Sequence, residues 1–522
     1  MDTDIVILGS GVSGIQSALK CSAFADVVIL TKDKMTESNT FYAQGGLAAV
    51  FGKDDSKEQH VLDTLRAGDG ISNKKIASII ANGSPYAVME LSKIGVNFNK
   101  NNDGKFKLSR EAVHSRARIV HSSDMTGREI EMSISKAARN NKRIKIMEHH
   151  MVLDLITKNN KCFGCIVLDL QNKRIFPIFA RKTVIATGGI GQVYKITTNP
   201  AVATGDGIAI ALRQDVILED MEFMQFHPTM MHNSNPSFLI SETLRGEGGL
   251  LKNSSGKTYM GKYHRDGELA PRDVVSRFSV IEMKKTRSKN VYLDMTNLDS
   301  SYLKKRFPNI YNECLRYGID MSKDSIPVSP AAHYICGGIK TDSYGKTSME
   351  NLYAVGECAC TQLHGADRLA SNSMTEGLVI ASRMSKIIRN RIKKAKLEKV
   401  EVVIPILSAA GNGRISALRA SFRNIMWEDV GIIKSRKSLM RAMKKMMRIE
   451  EKIEKIKKDG TNKDVQELDN MITVAKTIIV ASLRRKESRG THFMEDYPER
   501  HDSIWRVHLT IDKRYLESKW KN

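Results

Sequence analysis

Two short apolar runs, residues 5–8 (IVIL) and 27–30 (VVIL), bracket a glycine turn, GSGVSG, and an amphipathic stretch, IQSALKCSAF. Continuous apolar runs bounded by turn signals predict strands buried on both faces. The stretch between them has helical spacing, so residues 4–30 read as strand, turn, helix and strand. Residues 58–100 carry apolar positions at helical spacing through VLDTLRAG and YAVMELSKIG. Residues 151–186 break into several short strands ending in KTVIATGG, and ATGDGIAIALR, from residue 203, restarts a helix. Turn signals such as RGEGG and NSSGK punctuate residues 214–330, which predicts an inserted second domain. The runs HYICGGIKTD and NLYAVGEC then read as strands that return to complete the first sheet. From about residue 411 the pattern turns helical and charge-rich, and LMRAMKKMMRIEEKIEKI predicts a helix whose Met stripe faces a core.

Length adds room for two to four domains in 522 residues. No apolar run approaches the roughly 18 residues a membrane span needs. The chain enters a strand at once instead of a basic, apolar leader, so a cytoplasmic location is expected. Seven scattered cysteines (Cys21, Cys162, Cys165, Cys314, Cys336, Cys358 and Cys360) argue against a disulfide framework. Cys162 and Cys165 have C-x-x-C spacing but no second pair to complete a zinc site, and they read as packing near a hairpin tip. No metal is expected. The formal net charge is +24, densest over residues 434–458. No RNP, zinc-finger or helix-turn-helix pattern accompanies it, so it reads as a solvated face of a Lys-rich helix and not as a nucleic-acid site. Such a field also speeds capture of a dianion.

The first glycine of Gly9-x-Gly11-x-x-Gly14 permits a tight turn, the second lets backbone approach a pyrophosphate, and the third lets helix and strand pack closely. The acid that would end the second strand and hold an NAD ribose is missing: Thr31 and Lys32 stand there, with Asp33 beyond. FAD with different adenosine contacts stays open. Further on, HGADRLASNSMTEGL sets Arg368 just ahead of an S-N-S cluster that predicts a helix start. A planar guanidinium and free helix N–H groups point to redox chemistry on a small acid.

GSGVSG, SNTFYAQGGLAAV, ATGGIGQVY, ATGDGIAIA, MEFMQFHPT, SETLRGEGG, APRDVVSR, AAHYICGGI, GEC and HGADRLASNSMTEGL follow one another in register. The set resembles the succinate dehydrogenase/fumarate reductase flavoprotein superfamily, and the likeness continues to ESRGTHFMEDYP. The resemblance implies an α/β fold with a Rossmann-like FAD-binding domain over residues 1–213 and 331–410. It implies an inserted α+β capping domain over 214–330 and a C-terminal helical domain over 411–522. Respiratory members carry a histidine that links covalently to FAD; here the triplet is Ser38-Asn39-Thr40, which implies noncovalent FAD. REAVHSRAR resembles the pattern of the branch that oxidises L-aspartate, in which Glu111 would face the substrate ammonium; Ala112 and Val113 replace its usual glycines. ERHDSIWRVHLTI resembles the respiratory members, so a fumarate reductase or succinate dehydrogenase flavoprotein subunit stays open as the alternative.

The chemistry so implied is hydride removal from L-aspartate to flavin, giving iminoaspartate, with reoxidation by oxygen or fumarate. This is the first step of de novo NAD synthesis, with quinolinate synthase as the consumer of the product. By resemblance the catalytic groups are His227, Arg272 and Glu242, and the substrate-binding groups are Glu111, Ser241, His333 and Arg368. FAD contacts would come from Gly9, Ser10, Gly11, Val12, Gly14 and Lys32 in the first unit. Asn39, Thr40, Phe41, Tyr42, Ala43, Gln44, Gly45 and Gly46 would form a flavin loop, with Asp206, Glu357, Ser373 and Met374 completing the set. Asp367, where the branch often has asparagine, reads as an ion-pair partner for Arg368.

Overall fold

A computed structural model describes residues 1–234, 237–393, 396–408 and 412–520; the expected domain boundary at 410/411 lies outside them. A seven-stranded sheet organises the fold. Asp2–Leu8 lies at its centre, parallel to Val27–Leu30 on one side and to the second half of Arg174–Ile185 on the other. The first half of Arg174–Ile185 instead pairs antiparallel with Lys161–Asp169, which in turn pairs with His150–Lys158. Ile144–Met147 and Leu352–Ala354 complete the sheet.

Helices cover both faces, which is why the strands are apolar without interruption. Ile5, Ile7, Val27 and Ile29 pack with the helices Val12–Cys21, Lys74–Ile94, Thr126–Arg139 and Asn372–Ile392. Val6, Leu8, Val28 and Leu30 face the other way, into a core shared with Asp206–Arg213 and with the C-terminal helices. Arg436–Lys457, held at its start by a Ser435/Ser438 capping box, buries Leu439, Ala442, Met443, Met446, Ile449, Ile453 and Ile456. The Met stripe is thus a helix core, packed on Lys463–Arg484.

HYICGGIKTD departs from the expected placement. Ile326–Ile335 pairs antiparallel with Met224–Met231 in a separate four-stranded sheet, with Val291–Asp294 and Leu250–Lys252 beyond it. Gly338–Lys340 joins a third sheet with Leu218–Glu219, Ala359–Cys360 and Thr510–Ile511. Gly338 makes the break possible: its φ is +151°, and a Cβ there would sit 2.5 Å from the Cys358 carbonyl oxygen. Only Leu352–Ala354, from NLYAVGEC, returns to the first sheet. Among the described residues no helix is long and apolar enough to cross a membrane.

Candidate functional site

A cavity of about 910 Å³ runs from the ends of the central strands to the sheet built on Met224–Met231 and Ile326–Ile335. Its floor is the glycine turn. Gly9 has φ +111°, and a Cβ there would meet the Ala186 carbonyl oxygen at 2.2 Å. At Gly14 a Cβ would lie 2.2 Å from the Gly9 carbonyl oxygen, so strand and helix touch through bare backbone. Gly9, Ser10, Gly11 and Val12 line the cavity, whereas Gly14 is a packing residue behind it. Gly11 precedes the helix Val12–Cys21 without a side-chain cap, and the Val12 N–H donates to Thr40 Oγ1 at 3.1 Å.

At the far end, Lys32 Nζ donates to Thr204 Oγ1 at 2.6 Å, Asp206 Oδ2 at 2.7 Å and Glu467 Oε1 at 2.9 Å. Burial opposes charge on both Lys32 and Asp206, yet their mutual attraction holds Lys32 above and Asp206 below the ordinary range. Both residues line the cavity.

Thr40, Tyr42, Ala43, Gly45 and Gly46 line it as well. Asn39 donates to Glu357 Oε2 at 2.9 Å and Gln44 to the Leu239 carbonyl at 2.6 Å. The carbonyl oxygens of both amides are buried without a partner among the described residues. Phe41 is not part of the lining: its ring packs edge-on to Tyr42, with the Arg128 guanidinium 5.6 Å from its centre. Opposite, Gly188 has φ +72° with open space where a Cβ would stand, and Gly189 leaves room for Glu357. Burial pushes the Glu357 carboxyl up to about 7. Ser373 and Met374 line the cavity at the first turn of Asn372–Ile392, which no side chain caps among the described residues. A glycine-floored cradle, orphaned amide acceptors and a free helix start fit FAD: pyrophosphate over the turn, ribityl hydroxyls by Asn39 and Glu357, and flavin by Ser373. An amide at position 39 cannot form the histidyl link, so the fit is noncovalent.

Beside Ser373 the cavity turns cationic. Arg272, the first residue of Arg272–Thr286, donates from Nε to Glu242 Oε2 at 2.5 Å. Arg368 donates to Ser373 Oγ at 3.1 Å and lies 4.5 Å above the Tyr334 ring. The His227 and His333 ring centres are 5.1 Å apart. His227 Nδ1 accepts from the Thr229 N–H at 3.2 Å, which assigns its proton to Nε2. Thr198 Oγ1 contacts His333 Nδ1 at 2.7 Å. Burial, then Arg272, hold both imidazoles well below their ordinary pKa, so both are neutral. Burial opposes ionisation of Glu242, but Arg272 and Arg245 hold it below the usual carboxylate range. Ser241 donates to Thr243 Oγ1 at 3.1 Å.

Glu111 lies across from these arginines, 5 % exposed, accepting from Ser371 Oγ at 2.7 Å. Arg118 is not its partner; it forms a buried cluster with Asp55 and Asp63. Burial, then Glu242, push the Glu111 carboxyl above its ordinary range. The backbone beside it keeps a glycine-like conformation, with Val113 at φ +69°. Asp367 also departs from expectation: it accepts from Gln225 Nε2 at 2.5 Å and forms no ion pair with Arg368.

Every expected substrate group therefore reaches the cavity wall. Three residues escaped sequence reasoning. Gln225 accepts from both Arg272 and Arg368, and Arg245 places Nη2 3.4 Å from Glu242 Oε2. Ser371 reaches Glu111. All three sit inside the quoted motifs, but nothing local marks them as contacts.

An FAD binding domain family matches residues 4–374, and the family described as fumarate reductase flavoprotein C-term matches 419–521. The chain is 38% identical over 550 residues to a chloroplastic L-aspartate oxidase of Oryza sativa subsp. japonica, covering 99% of this chain and 85% of that one. It is 37% identical over 513 residues to the L-aspartate oxidase of Yersinia pestis, covering 95% and 96%. A solved quinol–fumarate reductase with menaquinol molecules superposes with a TM-score of 0.90 at 29% identity, covering 98% of this chain and 95% of that one. With every motif in register along nearly the full length, the chain belongs to the L-aspartate oxidase family of the succinate dehydrogenase/fumarate reductase flavoproteins.

Proposed function

We propose that the protein is a cytoplasmic, FAD-dependent oxidoreductase that converts L-aspartate to iminoaspartate and is reoxidised by oxygen or fumarate. It performs the first step of de novo NAD synthesis, and quinolinate synthase consumes its product. One observation carries the choice of substrate. A buried carboxyl, Glu111, has a hydroxyl but no cation bonded to it, and it faces a pocket of arginines and imidazoles. That pattern suits a dicarboxylate that also carries an ammonium group.

In this reading Arg368, Arg272, His227 and His333 grip the two carboxylates, with the Ser241 hydroxyl beside them. Glu111 takes the ammonium. FAD, when bound, supplies hydride acceptance at its N5. The free N–H groups at the start of Asn372–Ile392 stabilise negative charge that develops next to them. The proton released as the amine becomes an imine passes through Arg272 to the Glu242 carboxylate: the guanidinium takes it on one nitrogen as its Nε–H is given to Glu242, with Arg245 behind. The domain division at 1–213 with 331–410, 214–330 and 411–522 belongs to this reading, with FAD held between the first two parts.

The fumarate reductase likeness keeps a second reading, a respiratory flavoprotein subunit, which needs no Glu111. Purified protein is checked for a yellow cofactor released by acid, then mixed anaerobically with L-aspartate or succinate. Bleaching by aspartate supports the oxidase. Bleaching by succinate with aspartate inert selects the respiratory subunit, and colourless protein that binds no FAD sinks both.

A further inference from the structure

Behind the two arginines lies a buried polar layer that the reaction itself does not touch. Gln225 is fully buried. Its carbonyl oxygen accepts from Arg272 Nη1 at 3.0 Å and from Arg368 Nη2 at 3.1 Å. Its amide nitrogen donates to Asp367 Oδ1 at 2.5 Å and to the Arg368 carbonyl at 2.9 Å. A flipped amide would turn N–H groups toward two guanidinium groups and its oxygen toward the Arg368 carbonyl, so these three contacts would become repulsive. The acceptors on the nitrogen side therefore decide which way Gln225 faces, and Asp367 is the side chain among them.

Asp367 is placed for this role by a second carboxyl. Asp273, the residue after Arg272, stands close enough for the two carboxyls to act on each other's charge. Two carboxyls this close disfavour each other's ionisation, and burial raises Asp273 as well. Burial and Asp273 push Asp367 well above the usual carboxylate range. The other charged or titratable groups facing the pair are Arg272, Arg277, Arg368, Asp69 and Cys336. An ionised Asp367 would compete with substrate for Arg368; a neutral one leaves that guanidinium to Gln225, Ser373 and the ligand.

We propose that Asp367 is a positioning residue: through the Gln225 amide its carboxyl holds the Arg272 and Arg368 guanidinium groups at the spacing a four-carbon diacid needs. The inference rests on these two arginines as the carboxylate-binding pair proposed above.

The test is a double-variant cycle on the FAD-loaded full chain. kcat/KM is measured with L-aspartate and the succinate Kd by calorimetry. The proteins are wild type, Asp367→Ala, Asp367→Asn, Gln225→Met and the Asp367→Ala/Gln225→Met pair. Asp367→Ala is expected to weaken both quantities about ten- to a hundredfold, the loss that follows when charge-assisted hydrogen bonds go. Asparagine supplies an acceptor to Gln225 and a donor to Asp273, so Asp367→Asn is expected within about threefold of wild type. The double variant should be no worse than Gln225→Met alone, because Asp367 acts through that amide. Losses that multiply in the double variant, or an Asp367→Asn protein as weak as Asp367→Ala, overturn the proposal. If Asp367→Ala does not fold, Asp367→Ser takes its place in the cycle. A wild type inert toward aspartate would sink the proposed function; an active wild type with multiplying losses sinks only the Asp367–Gln225 device.

Discussion

At the scale of single residues, the proposed function makes Glu111 the group that would separate an amine oxidase from a diacid dehydrogenase. Glu111→Gln keeps the shape and the Ser371 bond but removes the charge. Breaking one side of a desolvated ion pair costs about 3–5 kcal/mol. L-Aspartate oxidation should therefore fall at least a hundredfold in kcat/KM, while fumarate reduction by the pre-reduced enzyme changes little. Equal losses in the two assays would remove Glu111 from amine recognition. The pH dependence has a defined sign. The carboxyl is pushed above its ordinary range, so it takes a proton as pH falls through that raised value. Aspartate affinity then drops, whereas succinate affinity rises because a negative charge facing a diacid disappears. Titrations of the two ligands against pH should diverge on the acid side. Val113 stands two residues away at φ +69°, a conformation that a β-branched residue resists. Val113→Gly should raise stability by about 1 kcal/mol, the relieved strain exceeding the added unfolded-state entropy. A denaturant midpoint that falls in this variant would show that the backbone there is not strained.

At the scale of elements, the strand–turn–helix unit works because backbone meets backbone. Asp2–Leu8 ends in a glycine whose missing side chain admits the Ala186 carbonyl of the neighbouring strand. Gly9→Ala would force a Cβ into that oxygen and an alanine into positive φ. Together these cost about 3 kcal/mol. The variant should purify with little flavin and a lower Tm, read by visible absorbance and thermal melting; full flavin content would mean the turn relaxes at no cost. This unit was legible from pattern alone, since the apolar runs, glycine spacing and helical spacing that mark it all lie within residues 4–30. The placement of HYICGG was not. An apolar strand does not announce its partner, and main-chain pairing with Met224–Met231 drew Ile326–Ile335 into a separate sheet.

At the scale of the whole molecule, the C-terminal helices are part of the cofactor domain's core. They cover the face of the sheet formed by Val6, Leu8, Val28 and Leu30, and they supply Glu467 and Asn470 to the Lys32–Asp206 cluster. Lys32→Met would leave Asp206 and Glu467 buried without their shared cation, at a cost of about 3–5 kcal/mol. In the wild type Asp206 is held below its unfolded pKa, so its contribution is present above that unfolded value and is lost as pH falls through the folded one. In the variant Asp206 loses that attraction and titrates higher. Its deficit against wild type should therefore be largest near neutrality and shrink as pH falls, measured by paired denaturant unfolding curves. A deficit independent of pH would show that lost packing outweighs lost charge.

Residue identities alone determined the dinucleotide turn, the amide that rules out a histidyl–flavin link, and the motif order that marks the superfamily. Each of these is local chemistry or a local backbone requirement. The tertiary structure decided the rest. It brought Gln225 between Arg272 and Arg368, turned Asp367 toward an amide instead of a guanidinium, and left Glu111 without a cation by spending Arg118 on Asp55 and Asp63. Those choices depend on which groups lose their water together. That is set by the packing of segments hundreds of residues apart, and no spacing along the chain records it.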